Sequence, residues 1–384
     1  MKELSPGNEN YHKVLQYLRC PVCNSSLVFA DGSFSCSKCG ANYKIVEGIV
    51  CFTEFDDAQY IKDVDFLRFE DLEQINLIIS SERVESAKAT IKEQYSFLYN
   101  YLFQQGRADW KFYIDLDEKS KILDLGCGWG NISYELALEY GNVTSVDISL
   151  SKLKFLDARA SAERIDNIDL IKADWNTRLP FIDEYFDLVI LNGALEWVGE
   201  YKNKKLPQEY QIELLKEIYR ILKKDGTLYI GIENRYGYRY FLGNPDDHSR
   251  MRYTSLMPRK LANWYMKIKK GKEYRTYTYS YTGIKKFLSS IGFERVELFY
   301  SSLDYKYFSY LIPLGNSKAL AYYLNYIYAQ EKELAEILKG IVRSIYKREC
   351  GKTLQGIKDM LARVVLFQSL FEYFVPSFSI MAKR

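Results

Sequence analysis

The stretch that most constrains this 384-residue chain is a five-residue turn, Gly126-Cys127-Gly128-Trp129-Gly130. It follows a short apolar run, Lys121-Ile122-Leu123-Asp124-Leu125, and opens a helical pattern from Asn131 to Tyr140. A second apolar run, Val143-Thr144-Ser145-Val146, ends on Asp147, 17 residues after the last glycine. Strand, glycine-rich turn, helix, strand and acid make a βαβ unit. Such a unit aims backbone N–H groups at a ligand and sets a carboxylate beside them. The spacing here is G-x-G-x-G, and Asp124 precedes the turn by two residues. An acid there repels a pyrophosphate and tolerates a cationic aminoacyl-sulfonium ligand.

The alternation continues. A third strand, Ile168 to Ala173, ends on Asp174, and a fourth, Phe186 to Leu191, ends on Asn192. A helix over 207–222 leads to a fifth strand, Gly226 to Ile232. An amphipathic helix from Thr282 to Ile291 precedes a sixth strand, Glu294 to Tyr300, and Ser377 to Arg384 reads as a seventh. This order predicts an α/β fold around a mostly parallel sheet.

The segments DLGCGWG, VDIS, KADW and FDLVILNGALEWV resemble those of the Rossmann-like, class I S-adenosylmethionine (SAM)-dependent methyltransferases. The likeness covers residues 119–300 and the last eight residues, roughly half the chain. It implies a seven-stranded sheet whose last strand inserts antiparallel to the sixth. It also implies that Asp124, Gly126, Cys127, Gly128 and Gly130 cradle the methionine part of SAM. Asp147, followed by Ile148, would hold the ribose hydroxyls, Asp174 and Trp175 would flank the adenine, and Asn192 would line the floor near the methyl group.

Cys20-Pro21-Val22-Cys23 and Cys36-Ser37-Lys38-Cys39 are separated by 12 residues. Two such knuckles on facing hairpins present four thiolates to one ion, a set that favours Zn²⁺ in a closed and therefore structural shell. The stretch LRCPVCNSSLVFADGSFSCSKCGANYKIVEGIVCF resembles small zinc ribbons attached to, or partnered with, methyltransferases, which makes the ribbon a candidate docking surface for a protein partner. The predicted organisation is a zinc ribbon over 1–53, a helical connector over 54–118 and a SAM-binding core over 119–300. A helical insertion over 301–376 and a final core strand over 377–384 follow.

Residues 235–281 leave the fifth strand at its carboxyl end, where ligands of open α/β sheets bind, and are read as a substrate insertion. Residues 235–286 hold 13 Lys/Arg against 3 Asp/Glu in a chain whose net charge is only +3. The local excess implies an anionic acceptor, with Arg235, Arg239, Arg250 and Arg252 as candidate phosphate partners. The insertion also carries His248, one of two histidines. His248, oriented by Asp247 or Asp246, is the candidate general base; Glu233 and Glu196 are alternatives at the pocket rim.

The segment GIENRYGYRYFLGNPDDH is similar to a pattern in methyltransferases of bacterial surface-polysaccharide clusters. That likeness implies O-methylation of a sugar in a surface glycan, a nucleotide sugar or a carrier-linked precursor. RNA methylation through the ribbon and the basic, Tyr-rich insertion is the alternative reading, and a non-catalytic SAM-binding scaffold is a third. No run of 18 apolar residues exists and Met1 to Asn10 is polar, so neither a membrane span nor a signal peptide is expected, and peripheral membrane contact stays open. Paired rather than framework cysteines fit a reducing, cytoplasmic setting.

Overall fold

A computed structural model describes residues 6–54, 69–81, 83–175, 178–202, 204–323 and 371–384. Helix α1 (Pro6–Leu15) leads into the ribbon strands β1 (Leu27–Ala30), β2 (Ser33–Cys36), β3 (Asn42–Val46) and β4 (Ile49–Cys51). The connector supplies α2 (Phe69–Ser81), α3 (Val84–Gln94), α4 (Ser96–Phe103) and a 3₁₀ turn, Asp109–Tyr113. The core then runs β5 (Lys121–Leu125), α5 (Asn131–Ala137), β6 (Asn142–Asp147), α6 (Leu150–Ala162), β7 (Ile168–Lys172) and β8 (Phe186–Asn192). It continues with α7 (Pro207–Ile221), β9 (Leu222–Glu233), α8 (Tyr238–Phe241), α9 (Arg259–Lys270) and α10 (Tyr281–Ile291). Strands β10 (Glu294–Asp304) and β11 (Tyr307–Pro313), helix α11 (Ser317–Tyr322) and strand β12 (Ser377–Lys383) complete the described elements.

The central sheet has the order β7-β6-β5-β8-β9-β12-β10. Strands β5 to β9 are parallel, and β12 is antiparallel to both neighbours, pairing Phe378 with Ile232 and Leu298 with Ile380. This is the expected seven-stranded, Rossmann-like methyltransferase sheet. Ile122, Leu123, Leu125, Val189 and Ile190 are buried because helices cover both faces of the parallel strands.

Both sheet edges extend beyond the seven expected strands. At one edge the ribbon is not a free-standing module. Its strand β4 adds in parallel to β7, pairing Val50 with Ile171. Upstream, Arg19 N–H donates to the Pro180 carbonyl at 2.8 Å, and the Tyr17 hydroxyl donates to Asp169 at 2.7 Å. Tyr17 is fully buried against Tyr185, Phe181 and Phe186, so the ribbon shares the main core.

At the other edge, the insertion after residue 300 does not begin as helix. Strand β10 runs on to Asp304 and turns back as β11, with the paired Tyr300 and Ile312 both buried. The helical expectation for 324–370 lies outside the described residues.

The described part of the connector carries α2, α3 and α4, and Tyr95 interrupts its apolar stripe between α3 and α4. Ala87, Ile91 and Leu102 bury against Trp129 and Phe155, whose rings meet edge-on at 5.0 Å. These helices therefore cover the outer side of the glycine turn.

Candidate functional site

The cysteines of the ribbon form two knuckles with the same internal bonds. Asn24 N–H donates to the Cys20 carbonyl at 2.8 Å, and Gly40 N–H to the Cys36 carbonyl at 2.9 Å. Asn24 and Gly40 both adopt positive φ, 58° and 73°. The knuckles face one another: Cys20 and Cys39 sulfurs lie 3.6 Å apart, Cys23 and Cys36 sulfurs 3.4 Å. A tetrahedral ion with bonds near 2.3 Å needs sulfurs about 3.8 Å apart. The four residues are therefore compatible with zinc and lie too far apart for disulfides.

At the carboxyl edge of β5, the glycine turn is braced by two acids. Asp147 is buried at the end of β6; one oxygen accepts Gly128 N–H at 2.9 Å and the other accepts Ser149 N–H at 2.9 Å. Ile148 is buried beside it. Asp124 lies beneath the turn and accepts the Ser133 hydroxyl at 2.7 Å; Ser133 in turn accepts from Ser145 at 2.8 Å. Burial, with Asp147 nearby, pushes Asp124 up to about 6. Both acids thus set carboxylates against a turn whose Gly126, Cys127 and Gly128 N–H groups are already held by the Val146 carbonyl and Asp147.

Gly126, at φ 79°, lies against the Trp175 ring; a Cβ there would sit 2.3 Å from Trp175 Cζ3. Gly130 starts α5 in the left-handed region, and burial pushes the Cys127 thiol well up. Asp174 pairs with Lys202 at 3.0 Å. The expected cofactor residues Asp124, Gly126, Cys127, Gly128, Gly130, Asp147 and Trp175 therefore surround one turn. Asn192 ends β8 across the sheet, with its Oδ1 over Gly231.

The second cluster collects residues far apart in sequence. Glu196 comes from a 3₁₀ turn after β8, Glu233 from the end of β9 and His248 from the insertion. His248 Nε2 lies 3.7 Å from a Glu196 oxygen and 3.7 Å from a Glu233 oxygen, and all three side chains are at most 3% exposed. The His248 ring also meets Trp197 edge-on at 5.0 Å. Burial opposes the imidazolium, but Glu196 and Glu233 outweigh it and lift His248 to about 9. Glu196 is raised by burial and by Glu233. Glu233 is held down near 2: burial works against this, and Lys306 and His248 overcome it.

The carboxylates that face the imidazole are not the ones expected. Asp247 instead pairs with Arg239 and accepts the Tyr240 hydroxyl at 2.6 Å. Asp246 accepts N–H groups of His248 and Ser249 at 3.1 and 2.6 Å, together with the Tyr274 hydroxyl at 3.1 Å. Short acids next to a turn capture its backbone donors before they reach a side chain three bonds away. Their role is to shape the turn that carries His248.

Sequence reasoning missed Tyr305 and Lys306. The Tyr305 hydroxyl and Lys306 Nζ each donate to Glu233 Oε1 at 3.1 Å. They arrive because β10, parallel to β9 across the intervening β12, overruns the sheet edge before turning. Gly231 makes room: a Cβ there would lie 2.2 Å from Asn192 Oδ1 and 2.6 Å from the Tyr305 ring. No local motif marks that turn.

The expected arginine–phosphate contacts are also partly withdrawn. Arg235 donates to the Ser255 and Met257 carbonyls at 2.9 and 2.7 Å, and Arg239 is held by Asp247. Unpaired backbone carbonyls in a long insertion recruit the nearest multivalent donor. Arg250 and Arg252 are exposed.

Four buried polar atoms of this cluster have no hydrogen-bond partner: Asn192 Oδ1, Glu196 Oε2, Glu233 Oε2 and His248 Nδ1. Buried groups of this kind are normally satisfied, so these four atoms are candidates to meet polar atoms of a ligand or water.

Residues 116–280 match the methyltransferase-domain family model. Bacillus subtilis YqeM is 29% identical over 149 residues, covering 38% of this chain and 57% of its own length. The demethylmenaquinone methyltransferase of Lactobacillus johnsonii is 31% identical over 123 residues, covering 31% and 46%. The chain thus spans about half the length of these curated relatives. A SAM-dependent methyltransferase structure from Archaeoglobus fulgidus aligns with a TM-score of 0.41 at 17% identity, over 76% of this chain and 100% of that one. The matched segment carries both the glycine turn and the Glu196–Glu233–His248 cluster: residues 116–280 are similar to a methyltransferase domain and lie on a Rossmann-like sheet.

Proposed function

We propose that the chain transfers a methyl group from SAM to a hydroxyl of a sugar, in a surface glycan or its carrier-linked precursor. The observation that carries this reading is the buried Glu196–Glu233–His248 cluster with its unpartnered polar atoms, set at the carboxyl edge beside Asn192. SAM supplies an electrophilic methyl group on a sulfonium. The chain's residues hold it: the glycine turn and Asp124 receive the aminoacyl end, Asp147 the ribose, and Asp174 with Trp175 the adenine. A hydroxyl must lose its proton as it attacks. His248 accepts that proton in its neutral form, and Glu196 and Glu233 then stabilise the imidazolium; such a positioned base contributes about 10²–10⁴-fold. Lys306 and Tyr305 fix Glu233 so that one of its oxygens stays turned to His248.

Zinc in the four-cysteine site would clamp the two knuckles and, through β4, the sheet edge. A Cys36→Ser variant is expected to lose one equivalent of zinc by metal analysis; full zinc retention would exclude the site. The acceptor is tested by methyl transfer from labelled SAM to glycan, RNA and protein pools. Label in a sugar fraction supports the reading, and label confined to RNA or protein overturns it. RNA is the weaker reading because Arg235, Arg239, Arg259 and Arg275 spend their donors inside the chain. A non-catalytic scaffold leaves the unpartnered buried atoms unexplained.

A further inference from the structure

Helix α9 in the substrate insertion is amphipathic twice over. Its buried face consists of Ala262 and Met266, which pack with Tyr274, Met251 and Met257 in a small separate core. The opposite face is apolar as well. Leu261, Trp264 and Ile268 are 46%, 60% and 60% exposed. At about 100° per residue these three share an arc of about 60° pointing away from Ala262 and Met266. Lys260 and Lys267, the latter paired with Glu273 at 2.8 Å, border that arc on one side, and Tyr265 then Lys269 follow on the other; the three lysines are exposed. The helix ends at Gly271, and Lys272 follows, also exposed.

We propose that α9 is an interfacial helix that docks this chain on an anionic lipid surface. An apolar ridge with Trp at its centre and lysines on both flanks matches the layering of a bilayer boundary. The ridge enters the acyl–headgroup zone while the lysine stems reach the phosphates. Charge complementarity selects this occupant. A second copy docking face to face would bring the same lysines against one another. RNA would use the lysines but gains little from Leu261 and Ile268. No helix among the described residues is long and apolar enough to cross a membrane, so contact through α9 is peripheral.

The docking helix is wired to the acceptor cluster. Lys270 Nζ donates to the Ser249 carbonyl at 2.7 Å, one residue from His248, and Met251 and Met257 of the same loop pack against the helix. Membrane contact therefore bears on the segment that carries His248. The proposal does not depend on the identity of the acceptor.

The test is co-sedimentation of the full chain with vesicles of phosphatidylcholine alone and of phosphatidylcholine with about one-third phosphatidylglycerol. Wild type is expected to bind the anionic vesicles and to be released by salt. Trp264→Ser/Ile268→Ser is expected to bind them at least about tenfold more weakly. Lys260→Glu/Lys269→Glu is expected to lose more than that, since each lysine near an anionic surface is worth about fivefold. Both pairs are exposed, and SAM binding by calorimetry checks that each variant is folded. Absence of wild-type binding, or unchanged binding by Trp264→Ser/Ile268→Ser, overturns the proposal. Retention on RNA that depends on the lysines and not on Trp264 would reassign the surface to nucleic acid.

Discussion

The two ends of the proposed active site are built differently. Around the glycine turn the acids are already engaged: Asp147 holds two backbone N–H groups and Asp124 a buried hydroxyl. Around His248 the polar groups converge without satisfying one another. The first arrangement is a finished cradle whose backbone is set before any ligand arrives. The second offers hydrogen-bonding capacity inside a buried space, which a polar ligand can take up. A shared cosubstrate suits the first design and a particular acceptor suits the second.

The largest expected effect separates the two ends. His248→Ala should lower turnover by about 10²-fold or more while leaving SAM affinity unchanged, read by methyl transfer and calorimetry. A parallel loss of SAM affinity would break the distinction. The pH profile sharpens it. With His248 raised to about 9, the neutral base is scarce at pH 7, so the rate at limiting SAM should rise with pH toward a midpoint near 9. Saturating SAM should move that midpoint down, because a sulfonium and an imidazolium repel. His248→Ala should abolish the rise. A flat wild-type profile would leave His248 a bracing role only.

Asp147→Ala is the converse experiment. It removes a carboxylate that holds the turn and is placed to receive the ribose, at roughly 1.5–3 kcal/mol per charge-assisted bond. SAM should bind at least about tenfold more weakly by calorimetry, and unchanged affinity would show that the cradle does not depend on β6.

A smaller effect is expected at Asp124. Its carboxyl is raised to about 6 in the fold against an ordinary value near 3.9, so ionisation there opposes folding. The sign gives no penalty below about pH 4, growth between 4 and 6, and the full penalty, about 2–3 kcal/mol, above 6. Asp124→Asn should therefore raise the melting temperature of the SAM-free protein at pH 7 but not at pH 4, and weaken SAM binding. A lower melting temperature at pH 7 would mean that the bond to Ser133 outweighs burial.

Gly231→Ala should act least on chemistry and most plainly on packing. Its new Cβ meets Asn192 and Tyr305, and overpacking of this kind costs about 1–3 kcal/mol. SAM affinity should hold while thermal stability and acceptor turnover fall; loss of SAM affinity would show the two ends to be mechanically coupled.

Much of the first end was legible because its parts are neighbours in sequence. A strand, a glycine turn, a helix and Asp147 lie within 27 residues, and each follows from local backbone preference and apolar periodicity. The same holds for the cysteine knuckles, where a two-residue gap fixes the turn. Glu196, Glu233 and His248 were legible as candidates, since each lies near a strand end or in the insertion leaving one, but their mutual partnership was not. Proximity to Asp246 and Asp247 pointed to the wrong carboxylates.

By itself the sequence determined the α/β alternation, the glycine cradle, the acid at the end of β6 and a four-thiolate set, all consequences of short-range geometry. Only the tertiary structure decided that the ribbon joins the sheet through β4, that β10 overruns the edge to deliver Tyr305 and Lys306, and that Arg235 and Arg239 turn inward. It also decided that His248 faces two glutamates. The physical reason is common to all four: an exposed strand edge, a buried carboxylate and an unpaired carbonyl are satisfied by whatever group the fold brings near. In the pairing of Val50 with Ile171 that group stands 121 residues away.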